Sequence, residues 1–166
     1  MNTYLFYILN ILLIALPLAI FEIIIEKDHG WGSGWSKDKW YAKPFHSKSL
    51  FIRSIIKILN IESPLYYHVL VFWVVLPIIF ITEFFWLESN ILLLISSYIA
   101  VMIFEDFFWF LLNWNFDSLR QLCNGPKGSI WWHKRWRKIY KNYYLPASYF
   151  PTLLLSIILL ILSSVY

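Results

Sequence analysis

A single cysteine, Cys123, cannot form an internal disulfide, and it has no second thiol with which to build a metal-binding cysteine pair. Charge is also scarce. Asp, Glu, Lys and Arg make up 14% of the 166 residues, where soluble domains carry about 25%. Beside 60% hydrophobic and 21% aromatic residues, that shortage excludes an ordinary water-soluble globule. It indicates a single membrane domain over residues 1–166. The five glycines fall in two short stretches, Gly30-Trp31-Gly32-Ser33-Gly34-Trp35 and Asn124-Gly125-Pro126-Lys127-Gly128-Ser129. Neither has the strand–loop–helix setting of a phosphate-binding motif, so no nucleotide site is assigned. No stretch matches a nucleic-acid module, so nucleic acid is not an expected partner.

Basic residues are missing from three long segments, 1–26, 58–119 and 142–166. A transmembrane helix needs about 20 mostly apolar residues. Four windows qualify, at about Thr3–Ile25, Tyr66–Leu87, Asn90–Leu112 and Pro146–Tyr166. Only Glu88 and Ser89 separate the second from the third, which makes them a helical hairpin. Pro17 and Pro77 lie mid-span and are expected to kink their helices. The first window lacks the basic start and small-residue cleavage site of a signal peptide, so it reads as a retained span.

All 14 basic residues lie in two loops, one from Lys27 to Lys57 and one from Arg120 to Lys141. With four spans these loops share a side, and the positive-inside rule makes it cytoplasmic. The expected fold is an all-α integral membrane protein of four transmembrane helices, N-out/C-out, multi-pass in the cell (inner) membrane. Two cytoplasmic segments complete it. Lys48–Asn60 has Ser49, Arg53, Lys57 and Asn60 on one helical face and apolar residues on the rest. Ile130–Tyr144 has Trp132, Trp136, Ile139 and Tyr143 on one face and Lys134, Arg137, Lys138 and Lys141 opposite. Both read as amphipathic helices in the interface. They anchor the protein to the inner leaflet, or recognise an anionic headgroup, at about 1 kcal/mol for each Lys or Arg.

Acids and histidines gather at one depth. A helix rises about 1.5 Å per residue, which places Glu105 and Asp106 near the cytoplasmic end of the third span. Glu22, Glu26 and His29 recur near that end of the first, His68 starts the second, and His133 lies in the second interfacial segment. Buried acids in a membrane require a proton, a base or a metal. A base could be His68, His133 or a Lys or Arg of the loops dipping inward. A metal could take Glu22, Glu26, His29, Glu105 and Asp106, because Glu26-x-x-His29 has the spacing used in carboxylate-bridged two-metal bundles. Such a donor set suits iron, manganese or zinc. The plain alternatives are a buried polar cross-link at Glu105 and Asp106, a solvated Glu22, a helix end at Glu26 and His29, and backbone-bonded interface histidines.

The outline is similar to the membrane desaturase and hydroxylase superfamily in its four spans and cytoplasmic polar layer. That superfamily's clustered histidines are absent, because His29, His46, His68 and His133 are isolated. Its activity is therefore not carried over. The expected function is a membrane-embedded enzyme acting from the cytoplasmic side on a lipid or other hydrophobic substrate. Glu105, Asp106, His68 and His133 are its candidate catalytic residues. The alternatives are a non-catalytic subunit or assembly factor with a membrane-protein partner or a second copy of the chain, and a proton or ion pathway.

The orientation is tested by cysteines placed at Lys48 and Lys138. An impermeant thiol reagent is expected to leave both unlabelled in intact cells, and labelling from outside overturns the topology.

Overall fold

A computed structural model describes residues 2–27, 30–32, 34–36, 38–58, 64–87, 90–115, 118–128, 130, 133 and 135–165. It is mostly helical. Three helices are long and apolar enough to cross a membrane: α1 (Thr3–Glu26), α3 (Tyr66–Trp86) and α4 (Ile91–Leu112). Between the first two lies α2 (Leu50–Ile58). After α4 come a short α5 (Ser118–Asn124), a hairpin of β1 (Trp136–Tyr140) and β2 (Tyr143–Pro146), and α6 (Tyr149–Val165).

The ends of these helices are written in the sequence. Asn2 caps α1 by accepting from the Tyr4 and Leu5 amides at 2.9 and 3.2 Å. Asn90 caps α4 by accepting from the Leu92 amide at 2.8 Å. Such side chains satisfy amide donors that the first helical turn leaves without partners. At the other ends, the Asn113 side-chain amide donates to the Lys27 carbonyl at 2.7 Å, tying α1 to α4.

Both mid-span prolines are absorbed by π-helical turns, Ile11–Ala15 before Pro17 and Val71–Val75 before Pro77. Proline lacks an N–H and its ring crowds the preceding turn. In the second case the Leu76 amide reaches back five residues to the Val71 carbonyl. The next carbonyl in that register, Phe72, would pair with residue 77, which has no N–H to give. The Tyr98 hydroxyl donates to it instead, at 2.6 Å. This bond joins α4 to α3 at the kink.

α4 is the central helix, with 44% of its most apolar window buried against 11% for α3. Its tightest partner is α6. Ser96 Oγ donates to the Ser156 carbonyl at 2.7 Å, Ser156 Oγ donates to the Ser96 carbonyl at 2.9 Å, and the Tyr7 hydroxyl lies 2.9 Å from Ser156 Oγ. Serine and alanine let two backbones approach closely where lipid supplies no hydrophobic drive. An upper core packs Phe6, Ile11, Ala15, Leu76, Phe80, Leu94 and Val101 together. A lower core of Ala19, Ile23, Trp109, Phe110, Leu122 and Ile130 sits beneath the loops.

Two expectations change here. The segment Ile130–Tyr144 is not a helix; where it is described, it leads into an antiparallel hairpin with Trp136 opposite Pro146 and Lys138 opposite Tyr144. Its aromatic and β-branched residues favour a strand as well as an amphipathic helix. Lys141 at φ 44° makes the turn. A lone hairpin is marginal, and this one is held from below. Trp136 and Leu145 pack on the lower core. Gly125, at φ 56°, lets the chain pass so close that an added Cβ would meet Tyr144 Cβ at 2.5 Å. The second change is at α6. The hairpin takes the chain through Pro146, so α6 has 17 residues, a length of about 26 Å against a hydrocarbon core of about 30 Å.

Replacing Ser156 with leucine inserts a branched side chain between α4 and α6. The expected loss is about 1–3 kcal/mol, measured by unfolding in mixed detergent micelles. Unchanged stability would show that the serine contact does not set the spacing of these helices.

Candidate active site

Six of the seven residues expected at the site line one cavity: Glu22, Glu26, His68, Glu105, Asp106 and His133. Its volume is about 180 Å³. His29 lies outside the described residues. The cavity sits where the C-terminal ends of α1 and α4 and the N-terminal end of α3 meet the base of the hairpin and the first turn of α6. Glu105 is about 10 Å along α4 from Leu112. The Asn113–Lys27 bond fixes the ends of α1 and α4 together, so Glu22 and Glu105 face each other.

Adjacent helical residues diverge by about 100°, and this separates the cavity into two tiers. Glu105 turns toward α1. It is 3% exposed, and its neighbours in the inner tier, Glu22, Glu26 and His68, are 6%, 3% and 5% exposed. The Glu22 carboxyl adjoins those of Glu105 and the hydroxyl of Tyr67. Two carboxyls in contact in a low-dielectric layer need a proton or a cation between them. His68 Nε2 lies 3.9 Å from Glu26 Oε1, and its ring stacks on Phe72 with the planes 5° apart.

Asp106 turns the other way, toward α6 and the hairpin. Its Oδ2 accepts a hydrogen bond from the Tyr149 hydroxyl. The same oxygen lies 3.2 Å from His133 Nε2. This outer tier is wetter, with the His133 and Asp106 side chains 16% and 25% exposed. Aromatic rings fix the imidazole. Phe110, Trp136 and Tyr149 stand 6.0, 5.7 and 6.0 Å from it, centroid to centroid. Arg135 lines the rim and is exposed. Its carbonyl accepts from the Ala147 amide at 2.9 Å, which closes the base of the hairpin.

Ser148 and Thr152 add hydroxyls to the wall beside Tyr149, and the face between α3 and α4 is apolar. Val69, Phe72 and Trp73 come from α3, and Met102 and Ile103 from α4, all half-buried. The C-terminal half of α3 packs on α4, whereas its N-terminal half, up to and including the π-turn, stands off from it. The cavity occupies that opening.

The described residues give the metal expectation no support, and His29 of that set lies outside them. Among the described residues, no three His, Cys, Asp or Glu side chains are arranged to hold a metal ion. The reason is directional. Glu26 turns to His68 and Asp106 to His133, so the donors pair off instead of converging on one point. The cavity also brings in residues with no signal in the sequence. Tyr149 and Arg135 are ordinary members of an aromatic, basic stretch; the packing of α6 on α4 aims the first at Asp106, and the base of the hairpin puts the second at the rim. Tyr67 could have been suspected from its place beside His68.

A second buried polar layer lies toward the opposite end, with Asn10, Ser96, Ser97 and Ser156 buried and Glu83 beside Asn10. Ala15 and Ala19 on α1 and Ala100 and Val101 on α4, each 0% exposed, separate the two layers. No protein-family model, curated protein or solved structure matches the chain.

Asp106 and Tyr149 are expected to be coupled. In a double-mutant cycle of Asp106→Asn and Tyr149→Phe, the two losses of unfolding free energy should fall short of additivity by about 0.5–3 kcal/mol. Strict additivity would mean that the two side chains do not act on each other.

Proposed function

We propose that this protein is a membrane-embedded enzyme that performs acid–base chemistry on a lipid or other hydrophobic substrate, reached from the cytoplasmic leaflet. The observation that carries the reading is the composition of one cavity. Carboxylates and imidazoles from α1, α3, α4 and the loop before the hairpin share it with an apolar wall facing the bilayer. In a packed bundle, polar groups kept only as cross-links would leave no space between them. Acids inside a membrane are expensive and mark sites of function.

The two tiers suit two roles. Asp106, tied to Tyr149 and His133, is the group placed to take or give a proton at a bound substrate. Glu105 and Glu22 lie behind it, dry, as a proton store for a second transfer. Four crossings with both termini outside put this site on the cytoplasmic side, and α6 is then the fourth span despite its length. The helix α2 exposes Leu50 and Phe51 beside Arg53, a pattern suited to lying in the headgroup layer. A proton or ion pathway is less well supported, because small apolar residues close the bundle between the two polar layers.

The test is a comparison of membrane lipids from cells carrying wild-type protein, Asp106→Asn or Glu105→Gln, each present at equal levels in the membrane. A lipid species that changes with the wild type and not with either variant is the expected result. Identical profiles for all three overturn the enzymatic reading.

A further inference from the structure

Proline and the π-turn leave the cytoplasmic half of α3 standing away from α4, and this opening is unlike the rest of the bundle. Its walls are Val69, Phe72 and Trp73 on one side and Met102 and Ile103 on the other, none of them fully buried. Tyr98 props the kink by bonding to the Phe72 carbonyl at 2.6 Å. The slot is therefore held open by a specific contact. α3 is the least buried of the three long helices, with 11% of its apolar window buried, so a bilayer around the bundle would reach the slot along it.

The floor of the slot ends at the outer tier of the cavity, and its rim is basic. Arg135 projects there from the residue just before β1, on a backbone fixed by the Ala147 bond. Arg137, two residues on, is differently engaged, with its guanidinium 4.8 Å from the centre of the Phe150 ring. The single carboxylate at the rim, Asp106, is turned inward to the Tyr149 hydroxyl and His133. The group that meets an arriving ligand is thus a cation, and the path beyond it is apolar.

We infer that the cavity takes an anionic amphiphile, such as a lipid with a phosphate headgroup, which slides in sideways from the cytoplasmic leaflet. Its headgroup rests on the Arg135 guanidinium and its chain lies between α3 and α4 against Phe72, Trp73, Met102 and Ile103. A guanidinium suits this task because its planar fork of donors matches a phosphate. The chain supplies affinity through buried apolar area. A neutral lipid lacks the first contact, and free phosphate lacks the second. This assignment deepens the enzymatic reading by naming the class of its substrate, but binding itself does not depend on turnover.

The experiment measures binding to the full-length protein in neutral detergent by native mass spectrometry. The probes are a long-chain phosphatidic acid, a phosphatidylcholine with the same chains, and inorganic phosphate. Phosphatidic acid is expected to bind the wild type, with Arg135→Gln weakening it about tenfold and Arg137→Gln leaving it unchanged. Met102→Trp or Ile103→Trp should fill the slot and remove binding, and the fold of each is checked by its unfolding temperature. Equal losses at Arg135 and Arg137 would mean diffuse attraction to a basic surface and overturn the proposal. So would inorganic phosphate binding as well as the lipid, or folded tryptophan variants that bind normally. Bound lipid that the cell leaves unaltered would remove the enzymatic reading and keep this site. Altered lipid with no effect of Arg135→Gln would do the reverse.

Discussion

The reciprocal contact between Ser96 and Ser156 sets the geometry on which the polar site depends. Each hydroxyl donates to the other residue's backbone carbonyl, so the two helices touch at the backbone. Hydrogen bonds of this kind contribute modestly in membranes, on average about 0.6 kcal/mol. Their effect here is positional. With α4 and α6 fixed antiparallel at that point, Asp106 and Tyr149, toward the C-terminal end of α4, are brought together. The Asn113–Lys27 bond does the same for α4 and α1, and so for Glu105 and Glu22. The site is thus held by two short-range backbone contacts made by serine and asparagine.

A second constraint is the absence of an N–H on Pro77. It forces a π-turn, frees the Phe72 carbonyl and creates a place for the Tyr98 hydroxyl. The part of α3 before that turn makes few contacts with α4, and the cavity lies there. The proline therefore connects local backbone chemistry to the existence of the cavity, and the apolar slot follows from the same defect.

Much of this was legible along the chain. Depth was legible because helical rise is constant, so Glu22, His68 and Glu105 could be assigned to one layer by counting from the apolar boundaries. Six of the seven residues expected there line the cavity. The segment around Trp136 was not legible. Its residues satisfy a helical period and a strand preference at once, and local pattern does not choose between them. The choice falls to Leu122, Gly125 and Ile130, which provide the surface on which the hairpin rests. The metal set, whose His29 lies outside the described residues, finds no support among the rest for a related reason. Glu26-x-x-His29 is a spacing, whereas ligation requires convergence, and Glu26 and Asp106 turn to separate imidazoles.

The sequence by itself determined that the chain has helices long and apolar enough to cross a membrane, where the first three of them lie, and which acids share a level. These follow from composition, from capping residues such as Asn2 and Asn90, and from the fixed rise of a helix. Only the tertiary structure decided the directions in which those acids point. It assigned Glu105 to Glu22 and Asp106 to Tyr149 and His133, and it put Arg135 at the rim. Direction around a helix becomes meaningful only once the neighbours are in place, and here the neighbours are separated by scores of residues along the chain.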